Sequence, residues 1–121
     1  MNLRNRFNKI LELMQAEDID GLLLNTEPNV SYAAGFHAPD SYSLVSNKGI
    51  ILITDFRYKA DFQQKAKSPV IIKQLKTNIF KSIIETTKTQ GLKKIGFESR
   101  HLAFAECEIL NKQKNYLKTQ E

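Results

Sequence analysis

The stretch DIDGLLLNTEPNVSYAAGF, Asp18–Phe36, decides the fold. Asp18-Ile19-Asp20-Gly21 breaks any preceding helix, and the bare run that follows reads as a short strand buried on both faces. Thr26 is placed to cap a new helix whose first turn contains Pro28, where a missing N–H costs nothing. Gly35 then supplies the left-handed residue that ends this short helix. A strand without a polar face needs cover on both sides, which points to a layered α/β fold.

Working upstream, Leu3, Phe7, Ile10, Leu11 and Met14 recur at helical spacing and predict a helix from Asn2 to Glu17. Downstream, SLVS and IILIT flank Asn47-Lys48-Gly49, the pattern of an antiparallel hairpin. DFRYKADFQQKA predicts a helix with Phe56, Ala60 and Gln63 or Gln64 on one side, stopped by Ser68-Pro69. VIIKQL reads as a strand. From Asn78, the residues Ile79, Phe80, Ile83, Ile84 and Thr87 form a helical face that ends at Gly91. KIGFE is a further strand, with Gly96 permitting a close approach. A last helix carrying Leu102, Ala105, Ile109 and Leu117 would run into the end of the chain.

The order is α-β-α-β-β-α-β-α-β-α. It predicts one α/β domain, residues 1–121, with a mixed sheet of about five strands and helices on both faces. Because the chain ends on a helix in this reading, the strand containing Gly96 is expected to leave an unpaired or partner-paired edge.

Composition narrows the function classes. The chain is 41% hydrophobic and 26% charged, ordinary for a globular protein. Its apolar runs fall far short of the ~20 residues that span a bilayer. The amphipathic, charged N-terminus is not a signal peptide. Cys107 has no second cysteine to pair with, which fits a reducing, cytoplasmic setting. The net charge of +5 invites a nucleic-acid reading, but the lysines are scattered among acids and no RNA-binding signature is present. Five glycines make neither phosphate-loop motif, and no nucleophile elbow occurs. Cys107, His37 and His101 lack a zinc-ligand spacing. Asp55, Asp61 and Glu98 are isolated acids whose convergence on a metal pair is not visible in the sequence.

Four motifs do occur in a recognisable order: Asp20–Leu23, Asn29–Phe36, Asp55–Tyr58 and Ile95–Glu98. Together they resemble the N-terminal domain of the creatinase/prolidase family, which includes Xaa-Pro dipeptidases and Xaa-Pro aminopeptidases. The resemblance spans about residues 3–118 and implies that domain's fold, with its ribonuclease H-like motif. It also implies that catalysis belongs to a C-terminal pita-bread domain, where two Asp, one His and two Glu hold two divalent metal ions such as manganese. No segment of this sequence supplies that set, so the chain itself should be inactive and hold no cofactor. The expected partners are a C-terminal catalytic domain of the same parent chain and a second copy in a homodimer, with peptide substrate bound only by the full-length form. The alternative is a stand-alone binding or assembly module of the same fold.

The resemblance also nominates residues. In the family, the loop after Tyr-x-x-Gly-Phe lies near a neighbouring subunit's active site, which makes Phe36, His37 and Asp40 candidates for a substrate-pocket or partner-subunit contact. Alone, His37 reads as an exposed loop residue, and Tyr32 and Phe36 read as core. Asp55, Arg57 and Tyr58 form a structural or interface motif, with Asp55 capping the next helix and Arg57 forking a carboxylate. Asn29 is expected to bond nearby backbone at a helix start, and Glu98 to be a structural hydrogen-bond partner.

Overall fold

The computed structural model describes residues 2–75, 78–98 and 116–118, the last three through their backbone. Helix α1 spans Leu3–Ala16, and the Asn2 side chain caps it by accepting from Asn5 N at 2.8 Å. Its buried stripe is Phe7, Ile10 and Met14. Asp18, at φ 57°, makes the left-handed exit, and Ile19 N closes the turn on Met14 O. Strand β1, Gly21–Leu24, is buried at every position. Helix α2 spans Glu27–Ala34 and ends at Gly35 with φ 85°, as the sequence predicts.

Strands β2 (Tyr42–Ser46) and β3 (Gly49–Thr54) form the antiparallel hairpin. Helix α3 is Lys59–Lys65, β4 is Val70–Gln74, α4 is Ile79–Gln90 and β5 is Ile95–Phe97. Asn78 caps α4 through Lys81 N, and Gly91 terminates it at φ 71°. Strand β6, Tyr116–Lys118, pairs in parallel with β5.

Among the described residues the sheet has six strands, in the order β4-β3-β2-β1-β5-β6. All run the same way except β2, which is antiparallel to both its neighbours. Side-chain alternation divides the apolar residues into two clusters. Leu22, Leu24, Val45, Ile50 and Leu52 pack under α1, α2 and α3. Leu23, Leu44, Ile53, Ile95 and Phe97 pack against α4. The mixed α/β sheet with helices on both faces is therefore the observed architecture.

Two expectations change. Leu117 lies in β6 rather than on a closing helix, so β5 is not the edge of the sheet. The predicted helix positions Leu102, Ala105 and Ile109 lie outside the described residues. Helix α3 starts four residues beyond Asp55, because Tyr58 N bonds Asp55 O and makes a turn first. That turn leaves Phe56 77% exposed and makes Phe62, at 1%, the buried anchor. The Phe62 ring stacks on Tyr58 at 5.2 Å and meets Phe36 at 5.1 Å.

This register is directly testable. Phe62→Ala should cost about 3–5 kcal/mol of unfolding free energy by urea titration. Phe56→Ala should stay within about 0.5 kcal/mol. Equal effects would place α3 in the register that buries Phe56.

Candidate functional site

Strands β1, β3, β4, β5 and β6 all end at one edge of the sheet, and antiparallel β2 begins there. Carboxyl ends of parallel strands are where open α/β sheets place their ligands. The Gly35–Ser41 loop and the Asp55–Tyr58 turn meet at this edge.

The loop folds back on its own helix. Ala38 N donates to Ser31 Oγ at 2.9 Å, and Ala38 is fully buried. Ser41 Oγ donates to Pro39 O at 2.8 Å and lies 3.0 Å from Thr54 Oγ1 at the end of β3. Between them, Asp40 sits in left-handed backbone at φ 53°, which aspartate tolerates better than most residues. Its carboxylate accepts from Tyr58 Oη at 3.1 Å and lies 3.6 Å from Arg57 Nη2.

The turn on the other side is built by Asp55. Its Oδ1 accepts from Arg57 N at 2.9 Å, and the Arg57 guanidinium forks the same carboxylate through Nε (3.1 Å) and Nη2 (2.7 Å). The fork predicted for Arg57 is formed. Asp55 organises the turn before α3 instead of capping the helix, whose N-cap is Tyr58. The Arg57 guanidinium holds the Asp55 carboxyl below the usual range, and Asp55 in turn raises Arg57. Asp40, accepting the Tyr58 proton, raises that phenol above its ordinary value. Arg57 also lies 5.0 Å over the Tyr58 ring. Asp40, Asp55, Arg57 and Tyr58 thus form one exposed network joining two loops.

Phe36 and His37 go elsewhere. Phe36 packs on Phe62 within the first cluster. His37 is exposed, with Nε2 2.7 Å from Glu27 Oε2 on the first turn of α2. Glu27 was not singled out by the sequence. Its one signal is an acid at a helix start, where the dipole favours it. Tyr32 is 40% exposed, and the Arg6 guanidinium lies 5.1 Å over its ring.

Beneath the loops lies a buried carboxylate. Glu98, 1% exposed, accepts from Asn29 Nδ2 (2.8 Å), Thr26 N (3.2 Å) and Asn25 N (3.4 Å). The Thr26 side chain makes no capping bond, and Glu98 instead accepts from the Thr26 N–H at the start of α2. Asn29 therefore bonds a distant side chain, not nearby backbone. Glu98 is the structural partner its strand-end position suggested.

Asp55, Asp61 and Glu98 do not form a cluster, and Asp61 pairs with Lys65 at 3.0 Å. Among the described residues no group of three His, Cys, Asp or Glu could hold a metal ion, so the described residues do not fit the implied metal pair. His101 and Cys107 lie outside the described residues.

Two outcomes follow from these contacts. Glu98→Ala should cost about 3 kcal/mol in urea titrations, because it strands buried donors. Glu98→Gln should cost less, since its amide oxygen still accepts. A change below about 0.5 kcal/mol for both would remove Glu98 from the framework. For Asp55, whose folded pKa is depressed, the stabilisation is fully present above the unfolded value of about 3.9 and is lost as pH falls through the folded one. Asp55→Asn should therefore flatten the acid limb of a stability–pH curve while leaving its slope near neutral pH unchanged.

Comparison with known proteins places this geometry in a lineage. The family model of the creatinase/prolidase N-terminal domain matches residues 6–119. A Bacillus subtilis (strain 168) protein, YqhT, described as an uncharacterized peptidase, is 27% identical over 99 residues, 82% of this chain. The chain spans only 28% of that protein's length. A solved Xaa-Pro dipeptidase from Bacillus anthracis superposes with a TM-score of 0.89 at 26% identity, covering 98% of this chain and 34% of that one. The N-terminal domain of the cytoplasmic peptidase PepQ from Mycobacterium tuberculosis H37Rv shares the fold, with a TM-score of 0.81 at 22% identity over 97% of this chain and 92% of that one. Among the described residues, no helix is long and apolar enough to cross a membrane. The chain belongs to the creatinase/prolidase N-terminal domain family.

Proposed function

We propose that this domain serves a metal-dependent, cytoplasmic Xaa-Pro dipeptidase or aminopeptidase as its non-catalytic N-terminal part, organising a homodimer and shaping substrate access. The observation that carries the reading is the direction of β6. Its register with β5, Phe97 opposite Lys118, brings the chain out at the same edge that holds Asp40, Arg57 and the His37 loop. A catalytic domain following β6 would start on that same edge, about 14–19 Å along it from these loops.

In this reading the loops act by position and charge. The Asp40–Tyr58–Arg57 network fixes the loop that carries His37, and Pro39 reduces the entropy lost when that loop docks. His37 can present a ring N–H to a peptide carboxylate. The two divalent metal ions would be held by the catalytic domain and would supply the activated water there. None of the described residues takes part in that step.

The test is hydrolysis of Xaa-Pro dipeptides by the protein encoded by the entire reading frame, compared with residues 1–121 alone. The longer protein should be active and the shorter one inactive. In the active form, His37→Ala and Asp40→Asn should raise KM about tenfold with a smaller change in kcat. Unchanged KM in both variants would remove the loop from substrate access. Absence of hydrolysis by any form would leave a binding or assembly module.

A further inference from the structure

Strand β4 is a lateral edge of the sheet, and among the described residues no strand pairs with its outer side. Ile50 N donates to Pro69 O, and Leu75 N donates to Thr54 O. With β3 and β4 parallel and Ile50 opposite Val70, positions 69, 71, 73 and 75 turn their backbone groups toward β3. Val70, Ile72 and Gln74 turn theirs outward, and Val70 N is taken by Lys67 O at 2.8 Å. The Ile72 and Gln74 N–H groups and the carbonyls of all three are left at the edge.

The surroundings of this edge are what select its occupant. Helix α3 lies on one face of the sheet, where Phe62 is buried, and α4 on the other, where Ile83 is buried. A trough of about 650 Å³ is lined by Lys59 and Gln63 of α3, Ile71 and Lys73 of β4, and Thr86 and Thr89 of α4. It therefore wraps around the free edge between two helical walls. Ile71 is 60% exposed within it. The charge of the trough has one sign, since Lys59 and Lys73 line it and no described acid does. Lys73 is half-buried, and its ammonium donates to Thr86 Oγ1 at 2.7 Å. That hydroxyl is neutral, and among the described residues neither lysine forms an ion pair. Lysines occur along most of the chain, yet from Lys59 to Lys76 five of them are met by a single acid, Asp61, which pairs with Lys65. With five lysines and one aspartate, this stretch carries +4 of the chain's net +5.

We propose that the β4 edge takes an extended, acidic segment of a partner protein as an added strand. The outward N–H and C=O groups of Ile72 and Gln74 pair with its main chain, which any sequence can supply. Side chains set the preference. Residues on one face of a strand are two apart, so an apolar side chain over Ile71 puts the residue two positions away opposite Lys73. An Asp or Glu there gives the half-buried ammonium a charge-assisted partner. Lys59, on the wall formed by α3, adds attraction for a further acid. A second copy of β4 would set one lysine-rich edge against another. A nucleic acid would meet the charge but would leave Ile71 and the alternating backbone groups unmatched.

The proposal goes beyond the peptidase reading, and its readout is binding by the chain, so its failure leaves the substrate-access reading standing. The probe is the end-blocked peptide Ser-Glu-Thr-Val-Thr-Glu-Ser, whose Val has a Glu two positions away on either side and so fits both strand directions. Fluorescence anisotropy of the labelled peptide reports binding, and hydrogen exchange reports the Ile72 and Gln74 amides with and without it. Binding with protection of both amides is expected. Exchanging both Glu of the probe for Lys should weaken binding at least about tenfold, and Lys73→Glu should reverse that preference. Gln74→Pro removes an N–H that β3 does not use and should weaken binding while circular dichroism stays as in the parent. No binding up to about 1 mM, equal binding of the Glu and Lys peptides, or binding that leaves both amides unprotected would overturn the proposal. Tighter binding of a single-stranded oligonucleotide that is lost in Lys73→Glu would overturn it in favour of nucleic acid. Protection that grows with protein concentration alone would overturn it in favour of a second copy.

Discussion

Burial of β1 on both faces is the constraint from which the rest of the domain follows. Gly21–Leu24 has no polar face, so Leu22 and Leu24 need cover on one side and Leu23 on the other. Helices α1 and α2 answer the first demand and α4 the second. The backbone of β1 is equally constrained, with β2 antiparallel on one flank and β5 parallel on the other. Gly21 sits where these meet: a Cβ there would lie 2.6 Å from Ile95 Cδ1 and 2.9 Å from Leu92 Cδ1, so any larger residue would make those two side-chain ends turn aside.

Apolar burial alone would leave the ends of β1 undefined, and two carboxylates set them. At its start, Asp20 accepts from Lys93 N and Lys94 N, which aligns the entry to β5. At its finish, Glu98 accepts from Thr26 N and Asn29 Nδ2 and fixes where α2 begins. The same two strands are thus tied at both ends by an acid on one and N–H donors on the other. Burying the Glu98 side chain is tolerated because two backbone N–H groups and the Asn29 amide donate to its oxygens. This places α2, and with it the loop that carries His37 and Asp40.

What the sequence discloses is local, and what it withholds is mostly non-local. The stops at Gly35 and Gly91 and the hairpin around Asn47-Lys48 all depend on neighbouring residues. These were legible. That Arg57 forks a carboxylate was legible, while the choice of Asp55, two residues away, over a carboxylate across an interface is seen only in the structure. Tyr58 to Asp40 spans 18 residues and Asn29 to Glu98 spans 69, and no periodicity encodes such pairs. His37 to Glu27 spans only ten, yet it depends on the loop turning back along α2. The register of α3 failed for a different reason. Phe56 and Phe62 are equally apolar, and a turn of Asp55–Tyr58 before the helix decides which one faces the sheet. The pairing of β6 with β5 was missed because its short run also fits a helical stripe.

The sheet order separates the surfaces that this domain offers. Five of its strands point their carboxyl ends at one edge, where the charged network gathers, while β4 and β6 form the two lateral edges. With strands spaced about 4.8 Å apart, β4 and β6 stand roughly 24 Å from each other. The carboxyl edge and the lateral edge at β4 are therefore separate surfaces, and a substitution at Ile71 on β4 leaves the contacts of Asp40, Arg57 and His37 untouched.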